Sequence, residues 1–180
     1  MCMTNNNSST GSLSNTKQNY LADKPRREAN MNRAAAIANP ILTKFFSGQG
    51  WGIESVEKSM LDMQGGVDYI LKTPQGECIY TAFRLKEKYS KDWSTLMVRH
   101  NGAGGGRSEA QKIKDGDKEY KAEYYMQLDE HTMLLRVYKI ATIREWLNQP
   151  GRVLQSNPAD KSSWYNIPWS EIQPIKVCQL

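Results

Sequence analysis

Hydrophobic positions along the chain fall into short runs with two different periods. Ile41, Leu42, Phe45 and Phe46 recur on one helical face, behind an Asn39-Pro40 pair that reads as an N-cap followed by proline at the first helical position. Residues 34–38 begin helix-like ahead of it, and Gly48, Gly50 and Gly52 end it. A first strand is predicted over 53–58, followed by a bend at Gln64-Gly65-Gly66. Residues 67–73 alternate as a strand, Pro74-Gln75-Gly76 is turn chemistry, and 78–86 resumes a β-rich run with Ile79, Tyr80, Thr81 and Phe83, so this is the clearest hairpin in the chain. A further strand is predicted over 93–99. A glycine-rich loop at 100–107, a charged helical stretch at 108–114, and strands over 120–128 and 132–140 around Asp129-Glu130-His131 come next. Thr142, with Glu145 three residues on, has the spacing of a capping box that opens a helix burying Ile143, Trp146 and Leu147, and Pro150-Gly151 stops it. Trp164, Tyr165, Ile167, Pro168 and Trp169 read as an irregular apolar segment wrapped against the sheet, ending in a short turn at 170–172.

The order of elements is a helix, three strands in succession, a charged insert, two more strands and a helix. Strands bracketed by helices predict an α+β (mixed α/β) fold, with a central sheet of about five strands flanked by helices. A doubly wound sheet would need helices between the strands. Residues 1–30 are Asn, Ser, Thr, Lys and Arg with almost no large apolar side chain, so nothing there offsets the entropy of ordering the backbone. They are expected to form a disordered polar and basic tail ahead of a single domain over 31–180. The basic cluster Lys24-Pro25-Arg26-Arg27 can contact phosphate or simply solubilise that tail.

The chain has 180 residues, enough for one core that folds without staples. Cys2, Cys78 and Cys178 are widely spaced, with no CxxC pair, which fits a reducing cytoplasm. No apolar run approaches the roughly 20 residues that span a bilayer, and residues 1–15 are polar where a signal peptide is apolar, so a cytoplasmic protein away from the membrane is expected. Lys and Arg number 24 against 19 acidic residues, a net +5 that agrees with a polyanionic partner without requiring one.

The hairpin carries candidate chemistry. Gly66-Val67-Asp68-Tyr69-Ile70-Leu71, a turn, and Ile79-Tyr80-Thr81-Ala82-Phe83-Arg84-Leu85-Lys86 resemble the PD-(D/E)XK restriction-endonuclease-like nucleases, in which an aspartate lies on one strand and an acid or glutamine, any residue, then lysine on the next. The helix before the motif, the strand preceding it and the later helix fall in the same order, so the resemblance covers about residues 40–148. It implies a restriction-endonuclease-like core and a Mg²⁺-dependent endonuclease or exonuclease. Asp68 would bind the ion, with Glu57 as the reserve ligand, and Arg84 or Lys86 would supply the positive charge. Residues two apart on a strand share a face, so positions 82 and 84 project together toward the strand that carries Asp68. The pattern is broken at both: Ala82 cannot bind a metal, and Arg84 grips phosphate in two-point fashion but cannot shuttle a proton. Glu54, Asp62, Glu87 and Asp92 are the other acids near the motif.

DNA or RNA is the partner this implies. Arg99, Arg107, Lys88 and Lys91 are the candidate nucleic-acid contacts, interleaved with Tyr80, Tyr89 and Trp93 as on single-strand binders, and Lys112, Lys114, Lys118 and Lys121 continue the charge. Glu87, Glu109, Asp115, Asp117 and Glu119 partly cancel it. Residues 101–107 lack the lysine and hydroxyl of a P-loop, and His100 and His131 lie too far apart for a zinc site. Trp146, Trp164 and Trp169 read as packing residues. The leading expectation is a nucleic-acid-directed protein with a nuclease-like core, of the plain construction that suits a phage or mobile element. Two alternatives stay open: a catalytically inactive module that binds nucleic acid or protein, favoured by Ala82, and a structural or assembly protein.

Overall fold

The computed structural model describes residues 11–56, 59–87, 94–100, 107–156 and 163–180. Helix α1 runs over Gly11–Ser47 and carries Pro25 and Pro40 inside it. Its backbone is therefore helical within the stretch expected to be a tail, but its described side chains over 28–32 are exposed. Composition reports burial here and leaves the backbone state open. The helix does not restart at Asn39-Pro40 either. Ala38, Leu42 and Phe46, spaced i, i+4 and i+8, are buried and hold the helix on the sheet across Pro40. Asn39 uses its side chain elsewhere, accepting a hydrogen bond from the Tyr69 hydroxyl at 2.6 Å.

After α1 come strand β1 (Gly52–Ser55), the single turn α2 (Met60–Met63), β2 (Tyr69–Lys72) and β3 (Cys78–Lys86). The predicted hairpin forms, with Tyr69 opposite Thr81 and Lys72 opposite Cys78. Its turn depends on Gly76, whose φ of 87° lies in the left-handed region that a side chain disfavours. The chain then passes through β4 (Thr95–Arg99) and α3 (Glu109–Asp115) to β5 (Tyr124–Asp129), which runs parallel to β3. Strand β6 (Leu134–Lys139) returns antiparallel, and the turn between them is held by Asp129, whose Oδ1 accepts from the backbone N–H groups of His131 and Thr132.

The α+β class read from the sequence is the one the chain adopts. Among the described residues the strands form two sheets, one of six in the order β1-β2-β3-β5-β6-β9 and one of three in the order β4-β8-β7. The segment predicted to be irregular supplies β7 (Gln155–Ser156), β8 (Ser163–Pro168) and β9 (Lys176–Gln179). The further strand predicted over 93–99 is β4, which pairs with β8 in the smaller sheet. Helix α4 (Ile140–Leu147) follows β6 directly, and its N-cap Lys139 makes no side-chain capping bond. The Thr142–Glu145 capping box consequently does not form, because Thr142 already lies inside the helix.

Alternation divides the large sheet into two faces. Tyr69, Leu71, Phe83, Met126, Leu128 and Leu135 pack beneath α1. Ala82, Tyr125 and Tyr138 face α3, α4 and the smaller sheet, with Ile113, Ile143, Leu147, Leu96 and Val98 against them. No described helix is long and apolar enough to cross a membrane.

The packing of α1 makes one test direct. Leu42→Ala, at a position with no exposed surface, should cost about 2–5 kcal/mol. Met31→Ala, on the exposed part of the same helix, should stay within about 0.5 kcal/mol. Urea unfolding midpoints distinguish them, and equal effects would mean that α1 does not dock on the sheet.

Candidate functional site

The site begins with the bend that precedes β2. Ser59 caps α2 by accepting from the Asp62 N–H at 3.2 Å, and the chain turns back through hydrogen bonds from Gly66 N to the Asp62 carbonyl and from Val67 N to the Leu61 carbonyl. Gly66 has φ 63°, and a Cβ there would lie 2.2 Å from the Tyr120 ring, so conformation and contact both require glycine. The Lys121 N–H donates to the Gly65 carbonyl at 2.8 Å, fastening the segment around Tyr120 to the bend. Asp68 follows, its backbone held on both sides: Val56 N donates to its carbonyl, and its own N–H donates to the Thr81 carbonyl at 2.8 Å. Its Oδ2 accepts from the Phe83 N–H at 2.6 Å, completing the ladder where β2 begins. Asp68 thus serves the sheet as well as any chemistry.

On β3, Ala82 is fully buried in the core. Two residues on, Arg84 points along the same face and donates from Nη2 to Glu109 Oε2 at 2.7 Å and from Nε to the Tyr125 hydroxyl at 3.3 Å. Glu109 is the first residue of α3. Ser108 and Gln111 close a reciprocal capping box around it, Gln111 N donating to Ser108 Oγ at 3.2 Å and Ser108 N to Gln111 Oε1 at 2.9 Å. The Tyr125 hydroxyl lies 3.0 Å from the Met97 carbonyl and 3.3 Å from Glu109 Oε2. The Arg84 side chain keeps 31 % of its surface exposed and that of Glu109 16 %, so the pair marks where the site meets solvent.

Electrostatics separate the two acids. Burial pushes the Asp68 carboxyl up to about 7, against the opposing pull of Arg84 and of the Phe83 N–H, while Glu109 and Asp62 push it further up. The ion pair of Arg84 is with Glu109, so the arginine does not neutralise Asp68 directly. Tyr125 and Glu109 hold the arginine charged, raising its pKa further. Burial likewise raises the Tyr125 and Tyr120 phenols above their usual range.

The structure brings Asp68 and Arg84 to one site and takes Lys86 out of it. Lys86 is 1 % exposed, donates from Nζ to the Thr95 carbonyl at 3.2 Å, and lies 5.2 Å from the centre of the Trp169 ring. It shares the face of Arg84, but sits one strand repeat further along, under the smaller sheet. Glu57, Lys88, Lys91 and Asp92 lie outside the described residues. Glu54 pairs with Lys72 at 3.1 Å and Glu87 with Arg33 at 3.1 Å, so neither acid reaches back to Asp68. Arg107 is half-exposed and pairs with Asp115 and Asp117. Arg99 is exposed, and its backbone N–H donates to Glu109 at 3.4 Å. His100 packs edge-on against Tyr165, as a structural residue would.

Glu109, Tyr125 and Tyr120 are the site residues that the motif did not point to. The Ser108–Gln111 cap was the available signal for Glu109, since it fixes an acid in the first turn of a helix; the parallel pairing of β3 with β5 that brings this helix to Arg84 is a long-range fact. Among the described residues no group of three or more His, Cys, Asp or Glu converges on one point. Asp68 and Glu109 are the two carboxylates of the cluster, and carboxylate oxygens are the ligand type that Mg²⁺ takes, commonly one or two of them with water and substrate phosphates. The half-buried Asp68 carboxyl is raised by burial in spite of Arg84, and further positive charge beside it would lower it again. A cavity of about 310 Å³ on the opposite face, under Phe46 and Trp51, has no carboxylate in its lining and belongs to the packing of α1.

The Asp68 carboxyl predicts a pH dependence. Its folded-state value near 7 exceeds the unfolded 3.8, so the folded chain holds the proton more tightly. The contribution is fully present below about pH 4 and is lost as pH rises through about 7. Wild type should therefore lose roughly 3–4 kcal/mol relative to Asp68→Asn between pH 4 and 8. Denaturant unfolding at several pH values reads this, and two parallel stability curves would contradict it.

Comparison of the chain with protein-family models, with curated proteins and with solved structures finds no match in any of the three.

Proposed function

We propose that this protein is a nucleic-acid-directed, metal-dependent phosphodiesterase, built on a core like that of the PD-(D/E)XK nucleases. The observation that carries the reading is the meeting of Asp68 with the Arg84–Glu109 ion pair on the face where Ala82 leaves the strand without an acid. Glu109, arriving on α3, supplies the second carboxylate that position 82 lacks. Asp68 and Glu109 would hold the ion; when bound, Mg²⁺ polarises a phosphoryl oxygen and acidifies the attacking water. Arg84 takes the charge role. Its planar fork can engage two phosphoryl oxygens at once, and its high pKa confines it to binding and orienting, with no part in proton transfer. Tyr125 fixes the guanidinium from the buried side through its hydroxyl. The net charge of +5 favours a polyanionic substrate over a small neutral one.

A second reading, a nucleic-acid-binding module without catalysis, is favoured by one observation: Arg84 is already paired with Glu109, an arrangement that holds the face closed as it stands. Labelled single-stranded and duplex DNA and RNA, incubated with Mg²⁺, Mn²⁺ or EDTA, separate the two. Metal-dependent cleavage is expected, reduced at least about 100-fold by Asp68→Ala and by Glu109→Gln. Arg84→Lys should keep the charge and lose about tenfold or more through the missing two-point contact. Binding without cleavage, unaffected by EDTA, would establish the module instead. Neither binding nor cleavage would leave a structural or assembly role.

A further inference from the structure

Tyr120 occupies an unusual place beside this site. Its ring packs over Gly66 at the bend leading to Asp68, and its segment is fixed by hydrogen bonds from Tyr120 N to the Asp117 carbonyl at 3.1 Å and from Lys121 N to the Gly65 carbonyl at 2.8 Å. The residue as a whole is half-buried, while its hydroxyl is buried and has no hydrogen-bond partner among the described residues. It lies in the field of Glu109, Tyr125, Asp68 and Arg84. A buried hydroxyl left unmade costs free energy that a phenylalanine at the same place would not. The other donors of the cluster are engaged: Arg84 with Glu109 and Tyr125, and the Phe83 N–H with Asp68. Tyr125 stands beside the Met97 carbonyl. The Tyr120 hydroxyl is the donor held in reserve.

We infer that Tyr120 is a catalytic residue of this site, donating a hydrogen bond from its phenol to a phosphoryl oxygen of a nucleic-acid phosphodiester bound at Arg84. The inference rests on the phosphodiesterase reading above. A phosphodiester entering beside Arg84, on the side where that guanidinium is exposed, brings anionic oxygens to a cluster that already holds two carboxylates. It therefore needs every donor the cluster can aim. A phenol is protonated at neutral pH, which suits a hydrogen-bond donor. The hydrogen bond gains in the transition state, when charge accumulates on the phosphoryl oxygens, so its loss falls on kcat more than on KM.

Tyr120→Phe is the test, with Tyr120→Ala as the control that also removes the ring. Three quantities are measured on the full chain with a labelled oligonucleotide: kcat and KM for cleavage in Mg²⁺, oligonucleotide affinity by anisotropy with Ca²⁺ in place of Mg²⁺, and Tm. The expected result for Tyr120→Phe is a Tm equal to or above wild type, an affinity within about twofold, and a kcat lowered at least about tenfold. Tyr120→Ala should lower Tm and kcat together. Wild-type kcat in Tyr120→Phe, with wild type active, would overturn this inference alone. A fall in Tm of Tyr120→Phe that matches its loss of kcat would overturn it as well, by showing a structural hydroxyl. A wild-type chain that binds the oligonucleotide and never cleaves it would remove the phosphodiesterase reading and this role with it.

Discussion

The ion pair between Arg84 and Glu109 is the interaction around which the candidate site of this protein is built. A guanidinium on a central strand, only about a third exposed, needs a carboxylate close by, because an uncompensated charge at that depth costs several kcal/mol. Strand β3 cannot supply it, since Ala82 and the buried core beneath leave no acid there. Helix α3 can, because the chain crosses from β3 through α3 to a parallel β5. The capping box at Ser108 then sets Glu109 facing the guanidinium. Tyr125, directly opposite Ala82 on β5, closes the arrangement from below. One arginine thus ties together the strand, the helix and the neighbouring strand.

The pair has an electrostatic consequence for Asp68. With the guanidinium engaged by Glu109, burial outweighs attraction at the aspartate, and its carboxyl moves to the neutral range. The same residue completes the β2–β3 ladder through the Phe83 N–H, so structure and charge compete at one side chain. A carboxyl held near 7 by burial is the kind of group that a divalent ion or a phosphate-bound cation would return to its ionised form. The proposed function takes the acids, the arginine and the Tyr120 hydroxyl, which has no hydrogen-bond partner among the described residues, together as one site for a charged ligand.

Local signals carried much of the fold. The hairpin of β2 and β3 was legible because Pro74-Gln75-Gly76 and the alternation through Ile79 and Phe83 act over a few residues, and α3 because residues 108–114 form a charged, helix-like stretch after a glycine-rich loop. What depends on distant partners was not legible. Residues 95–99 look like a strand in sequence, but only Ile167 and its neighbours on β8 assign them to the smaller sheet. Residues 176–179 become a strand because β6 offers an open edge. The Thr142–Glu145 spacing misled for the opposite reason: the local pattern is present, but β6 runs straight into α4 at Lys139 and leaves no room for a separate cap. Within the site, Asp68 and Arg84 were visible from the motif. Lys86 was misplaced, since strand alternation gives the face but not the depth, and Glu109 was hidden in a helix whose docking the sequence does not specify.

The central claim is that Asp68 and Glu109 act as one site around Arg84. Carboxyl ¹³C NMR of Asp68, followed through a pH titration of wild type and of Glu109→Gln, tests it most directly. The account predicts that Asp68 titrates near 7 in wild type. In the variant it should fall by about one pH unit, because a neighbouring negative charge is gone and Arg84 is released toward the aspartate. An Asp68 that titrates near 4 in wild type, or one that does not move when Glu109 is replaced, would contradict it.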